Sequence, residues 1–473
     1  MTSDAHSQQE TLDHLVDDYS RTGMSRRRFL QGAMAAGLTA AGASALLAAC
    51  DAGSSSSGGN NGKVLEVLFG LNTAGLAAQQ RQWFQQITND FQTLTGATVR
   101  WDTFNGTSDE LTRIQSAIVS GGGPDIFTLG TTFVPTAQAT GGFSLLSDAD
   151  WQAAGGKTRF FQEQLTTAGA TPDKPISVPF VMRPFALVYN TDLFQKAGIS
   201  NLPKSWSDFV AAAQKMTDPS AGVYGTAMDP QDTFDPWKIL WHVTKQLGGD
   251  FISADYKTAQ LNSPEVVQAV QFWFDWVATH HIVDPNSMSW KASNASQAFA
   301  NGKVGMQIMV TATVIPTLEK SSVKGKYAFA PLPTIPYGMQ QLPANGVAVE
   351  TIVSGDNMTI ASYSTVKDLA LKFINLVTDK PHQLTYTKTF GDLPTNADAA
   401  AELAGQNAQT KAFVQSEGGA TAVPTTSEWG PIEVALAAVT AKLGGEVAAH
   451  TYNPSHIKPL LDQANKQIQA QLH

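Results

Sequence analysis

Residues 176–216 read ISVPFVMRPFALVYNTDLFQKAGISNLPKSWSDFVAAAQKM, and the order of signals in this stretch decides the fold. An apolar strand closes on Tyr189-Asn190, where Asn190 or Thr191 supplies the oxygen that caps a short helix. Gly198 gives that helix a left-handed end, and Ser205 with Asp208 around Trp206 predicts a capping box opening the next helix.

Upstream, the same alternation of strand and helix repeats. Val64 to Phe69 forms an apolar strand, followed by a helix to about Leu94 with Trp83, Phe84, Ile87, Phe91 and Leu94 on one face and Gly96 as its stop. Val99 to Phe104 alternates as a strand, Ser108 caps a helix carrying Leu111, Ile114 and Ile118, and Asp125 to Leu129 is a third strand. This order predicts an α/β fold with a parallel, doubly wound sheet and right-handed crossovers. Such sheets bind ligands beyond the carboxyl ends of their strands. The loops there hold Asn72, Thr73, Asn105, Thr107, Thr131 and Thr132, neutral donors and acceptors suited to hydroxyl groups. Each alone is an ordinary turn or cap residue, and only their convergence on one edge points to binding.

The stretch quoted above resembles the signature of bacterial extracellular solute-binding proteins of the maltose-binding type: a strand ending in Tyr189-Asn190, a short helix ending in Ala197-Gly198, and a proline-led turn before the Trp206 helix. Further segments are similar in the same order: Leu247 to Asp250, Ser263-Pro264-Glu265, Ala298 to Met306, Phe329 to Pro333, Lys367 to Thr378, and Gly391 to Thr395. The resemblance implies a type II, two-lobed periplasmic-binding-protein-like fold. Each lobe would be a mainly parallel sheet flanked by helices, with solute held between lobes that close by hinge motion. It also implies a membrane ABC permease as partner, no cofactor, no chemistry and a monomer.

By position, crossings between the lobes are expected near Pro184 to Ala186, Phe299 to Met306 and Gly346 to Thr351. The division is then 63–184 plus 303–348 for the N-terminal lobe and 185–302 plus 349–473 for the C-terminal lobe. The loop Asp229 to Trp237 follows a strand-like segment and offers carboxylate acceptors beside an aromatic face, a combination suited to a sugar. Trp429 stands where the family has a stacking aromatic, and its alternative reading is a core residue. Trp273 and Trp276 read as core. Two departures matter: Met309-Val310-Thr311-Ala312-Thr313 lacks the tryptophan common there, and Asn345-Gly346-Val347 lacks the paired glycines of the third crossing. Trp237, Trp241 or Trp290 are candidates to replace the missing platform. The ligand expectation is a mono- or oligosaccharide, with Arg183 the residue that would favour a phosphate or carboxylate. A polyol phosphate, polyamine or iron complex is the alternative.

The N-terminus addresses location. Arg26 and Arg27 within Ser25 to Leu30 resemble a twin-arginine export signal, and Leu47 to Cys50 resembles the lipobox at which a lipid is attached to cysteine. Residues 1–49 are then a signal peptide and 50–62 a Gly/Ser tether. Cys50 is the sole cysteine of the chain, so no intramolecular disulfide forms and burial must stabilise the fold. The expected location is exported, lipid-anchored to the outer face of the cytoplasmic membrane.

Charge excludes another class. The 473 residues carry 31 Lys and Arg against 40 Asp and Glu, a formal net charge of −9, which lacks the basic footprint nucleic acid requires. An exported hydrolase would show a nucleophile elbow or a metal-binding helix motif, and neither G-x-S-x-G nor H-E-x-x-H occurs. His280 and His281 are adjacent, so they point to different sides of a helix end and read as solvated rather than metal-binding.

Overall fold

Two sheets organise the computed structural model, which describes residues 63–70, 77–104, 107–233 and 236–472. Arg26, Arg27, Cys50 and the tether lie outside the described residues. The strands are β1 (Val64–Gly70), β2 (Thr98–Phe104), β3 (Ile126–Gly130), β4 (Ser177–Met182), β5 (Ala186–Asn190), β6 (Met306–Val310), β7 (Tyr327–Ala330), β8 (Gly355–Ile360) and β9 (Leu393–Pro394). The first sheet has the order β2-β1-β3-β8-β4-β9 and the second β6-β5-β7.

The expected β-α-β-α-β start is present, with β1 parallel to both β2 and β3. Side chains of β1 alternate as the two-residue period requires. Leu65, Val67 and Phe69 join a core with Trp83, Ile87 and Phe91 of the helix Ala77–Thr95, whereas Leu68 faces Ile114, Phe127 and Phe133 on the other side. Both faces are covered, as a buried parallel sheet needs.

The parallel run then breaks. β8 lies antiparallel between β3 and β4, and β9 is antiparallel to β4. In the second sheet β5 is antiparallel to both neighbours, so the expectation of a mainly parallel sheet in each lobe is corrected there. The mass of this second region is helical. Trp206, Phe209, Trp237, Trp241, Trp273, Trp276, Phe251 and Trp429 share one apolar core.

The expected lobe division is corrected by strand pairing. β6 and β7, assigned by position to the N-terminal lobe, pair with β5 in the second sheet, while β8 and β9 complete the first. The crossing expected at Phe299 to Met306 is likewise absent, because Phe299, Val304 and Val310 pack with Val188 inside the second region. The chain passes between sheets at 183–185, from β4 to β5, and again on the way from β7 to β8, a connection that includes Gly346 to Thr351. A third pass precedes the helix Trp429–Ala448. The three passes are bonded side by side: Arg183 N donates to Ser354 O (2.8 Å), Val353 N to Thr421 O (3.1 Å) and Thr421 N to Thr351 O (3.0 Å). Phe185 N donates to Thr351 Oγ1 (2.6 Å). Gly355 sits where a Cβ would meet Val181 O at 1.9 Å, so this junction requires glycine.

Local signals hold throughout the quoted stretch. Asn190 caps the helix Thr191–Lys196, Gly198 is left-handed (φ 66°), and Ser205 with Asp208 forms the capping box of the helix Trp206–Met216.

Candidate ligand-binding site

The carboxyl end of β3 meets the crossing segments, and polar groups concentrate there. Arg183 leaves β4 into the first crossing with its guanidinium forked onto Asp356 of β8 (Nη1 to Oδ1 2.7 Å, Nη2 to Oδ2 2.7 Å). Its Nε reaches Asp392 Oδ1, ahead of β9, at 2.5 Å. Burial works against the Arg183 charge, but the two carboxylates outweigh it and hold the group firmly protonated. Burial also pushes the Asp392 carboxyl above its usual range, with Arg183 pulling it back and Tyr386 donating a hydrogen bond to it. The fork is thus already filled by acceptors. The expectation that Arg183 favours an anionic solute is corrected: its guanidinium is taken up by two carboxylates and leaves no open fork for a phosphate.

A second acidic group faces the same edge. Glu110, in the helix Thr107–Ser120, is 6% exposed and accepts the Gly130 backbone N–H. Burial, then Asp356 and Glu433, push its carboxyl well above the ordinary range, and its Oε1 is buried without a partner. Thr132, just past β3, donates to Glu433 Oε1 at 2.9 Å, and Thr136 donates to Ser427 O at 2.7 Å. Both bonds reach from the first sheet's edge to the start of the helix Trp429–Ala448, whose core belongs to the second region. Thr131 is buried beside Thr132 and lines a cavity of ≈ 50 Å³ with Thr166, Thr167, Val353 and Thr425.

The second region contributes a smaller cavity of ≈ 30 Å³ lined by Asp229, Trp273, Gln307 and Met309. There β6 places Ile308 and Met309 opposite the single residue Leu187, and Met309 takes a left-handed φ of 53°. An extra residue in one strand re-aims the side chains beside it, and a non-glycine residue at positive φ stores strain that packing must hold.

The other expected residues fall in several places. Asn72, Thr73 and Asn105 lie outside the described residues, and Thr107 begins its helix. Asn345 is exposed in the turn against Gly248, at the opposite end of the helix Pro236–Gln246 from Trp237, about 16 Å along its axis. Trp290 is half-buried against the Phe299 cluster, with its carbonyl accepting from Gln231 N beside the Asp229 loop. Trp237 and Trp429 are corrected outright. Trp429 is 0% exposed, stacked 5.9 Å from Phe251 and edge-on to Trp237 at 5.3 Å, and Trp237 is 4% exposed. Neither indole offers a face to a sugar. Trp273 and Trp276 are buried as expected. Sequence reasoning missed Glu110, Asp356, Asp392 and Glu433, although Asp392 stands inside the Gly391 to Thr395 motif. Among the described residues no His, Cys, Asp and Glu group is arranged to hold a metal ion, and no helix is long and apolar enough to cross a membrane.

This architecture is the type II, two-lobed binding-protein fold, with polar side chains of the first sheet's edge and of the start of the helix Trp429–Ala448 gathered beside the crossings. The family model described as bacterial extracellular solute-binding protein matches residues 77–384, and the chain belongs to that family. The diacetylchitobiose binding protein DasA of Streptomyces coelicolor is 24% identical over 368 residues, covering 74% of this chain and 78% of that protein. An ABC transporter solute-binding protein of Thermotoga lettingae bound to α-D-tagatose superposes with a TM-score of 0.72 at 20% identity, covering 87% of this chain and 100% of that one. Maltose-bound MalE3 of T. maritima gives a TM-score of 0.71 at 17% identity over 86% of this chain and 100% of that one.

Proposed function

We propose that this chain is the exported substrate-binding component of an ABC importer, taking up a neutral carbohydrate or polyol between its two sheets and presenting it to a membrane permease. The observation that carries the reading is the filled guanidinium fork. With Arg183 held by Asp356 and Asp392, the site offers carboxylate and threonine oxygens, and such oxygens match hydroxyl donors. Relatives named for diacetylchitobiose, tagatose and maltose, and a further solute-binding protein of Agrobacterium radiobacter bound to ribitol, give the same ligand chemistry. Binding proceeds by lobe closure without bond making or breaking. Cys50 carries the lipid anchor, and Arg26-Arg27 direct export of the folded chain.

The test is thermal unfolding with mono- and oligosaccharides and polyols in one arm, and phosphorylated polyols, spermidine and ferric citrate in the other. Ligand that binds only the folded state raises the melting temperature, with the logarithm of its concentration once that exceeds the dissociation constant. A neutral hydroxylated solute is expected to do so. Stabilisation by spermidine, a phosphate ester or ferric citrate, with none by a sugar or polyol, would overturn the reading.

A further inference from the structure

Two buried oxygens beside the crossings lack partners, and they belong to head groups already joined to each other. Gln164, in the short helix Gln162–Leu165, uses Nε2 twice, donating to Glu417 Oε1 at 2.7 Å and to Ser354 O at 3.3 Å. Its Oε1 is buried with no hydrogen bond, and so is Oε2 of Glu417. Both residues are 0% exposed. Flipping the amide would aim its oxygen at two acceptors, so hydrogen-bond chemistry fixes its orientation. Two acceptors cannot satisfy one another without a hydrogen. A proton on Glu417 Oε2 would give the carboxyl an O–H to donate to the amide oxygen while the amide N–H donates to the carboxyl, closing a reciprocal pair. Left unpaired, each buried oxygen would keep the full penalty of its lost hydration.

We propose that Glu417 is held as a neutral acid in the folded protein, and that its pairing with Gln164 is a proton-dependent latch across the three crossing segments. Ser354 O, which the Gln164 amide reaches, also takes Arg183 N of the first crossing. Glu417 ends the helix Ala408–Glu417, and the chain then runs directly to Thr421, which bonds Thr351 and Val353. The latch therefore bonds the second pass directly and is linked to the first through Ser354 O and to the third through residues 418–421. Burial pushes the Glu417 acid up to about 7, with Glu163 reinforcing it and the Gln164 N–H drawing it back. Glu163 is the charged group facing it from the Gln162 helix; the crossing residues 351–354 and 418–421 carry none. The pairing does not depend on which solute the cleft holds.

The sign follows from linkage. A carboxyl whose folded value lies above its unfolded one binds a proton that the unfolded chain releases, so its contribution is full below about 4.5 and is lost as pH rises to about 7. Thermal and urea unfolding of the full chain and of Glu417→Gln, from pH 4 to 8, reads this as a difference. The folded-to-unfolded ratio of the wild type should fall roughly 300-fold relative to the variant across that window and stay level above it. Subtraction removes other titrating groups. A swapped chain, Gln164→Glu with Glu417→Gln, keeps an acid–amide pair and should regain the pH slope. At pH 6 the infrared carbonyl band of a protonated carboxylic acid should be present in the wild type and the swap, and weaker in Glu417→Gln. If Glu417→Gln fails to fold, Glu417→Leu replaces it as the reference from which the slope and acid band of the wild type and the swap are subtracted. Parallel pH profiles for wild type and Glu417→Gln, or a swap without slope or band, overturn the latch.

Discussion

The first sheet and the tryptophan-rich helical region use their side chains in opposite ways. The first sheet is covered on both faces by apolar packing and sends its polar residues to strand ends and junctions: Thr131 and Thr132 after β3, Arg183 after β4, Asp392 before β9. The second region turns its large aromatics inward, with Trp206, Trp237, Trp241, Trp273, Trp276 and Trp429 in a single cluster. One region is built as a platform with a polar edge, the other as a solid body held by rings. A tryptophan's presence in a binding protein is thus no guide to stacking, whereas its neighbours are.

The largest effect that would break this contrast is at Trp429. Trp429→Ala removes a fully buried indole from between Phe251 and Trp237 and should destabilise the protein by about 3–5 kcal/mol. Urea unfolding measures it, and ligand affinity of the folded fraction should stay unchanged. A loss of affinity at unchanged stability would turn the second region into part of the platform.

His242, 0% exposed and edge-on to Trp206, sharpens the same picture through pH. Burial pulls its imidazole down to about 4, so the folded protein excludes a proton that the unfolded chain accepts. Its contribution is present above about 6.5 and is lost as pH falls towards 4, on the order of 3 kcal/mol. The sign is opposite to that of Glu417, so these two contributions offset one another over this range while the single variants show opposite slopes. His242→Gln should flatten the acid limb, followed by thermal unfolding between pH 4 and 7.

At the polar edge, Asp392→Asn leaves Arg183 with one carboxylate and should cost about 1.5–3 kcal/mol while lowering solute affinity, measurable by calorimetry. The smallest effect is Thr132→Val, which removes the bond to Glu433. It should cost about 0.5–1.5 kcal/mol and weaken binding by changing the closed-to-open balance, read by small-angle scattering with and without ligand.

What was legible in the sequence was local. Period-two and helical patterns located β1 to β3 and their helices, and cap chemistry located Asn190, Gly198, Ser205 and Asp208. Sheet membership was not legible, because nothing near β6 or β8 records which distant strand it will pair with; the lobe division by position went astray for that reason. The candidate site was half legible. Thr131 and Arg183 follow from the strand-end rule, but the fate of the Arg183 charge depends on Asp356 and Asp392, brought from 173 and 209 residues away by β8 and β9. Trp237 and Trp429 failed as platforms because an aromatic at a helix start looks the same in sequence whether it faces solvent or a neighbouring ring.

The placement of β8 has a consequence for how the chain is made. This strand is interior to the first sheet, hydrogen-bonded on both sides, yet it begins at Gly355. During synthesis β1 to β4 must therefore wait, with a gap at the centre of their sheet, while the whole second sheet is translated. Contacts spanning so much sequence close slowly and expose apolar surface meanwhile. A ribosome-bound fragment ending before Gly355 should resist neither protease nor aggregation, and chaperone dependence should fall away abruptly once translation has passed β8.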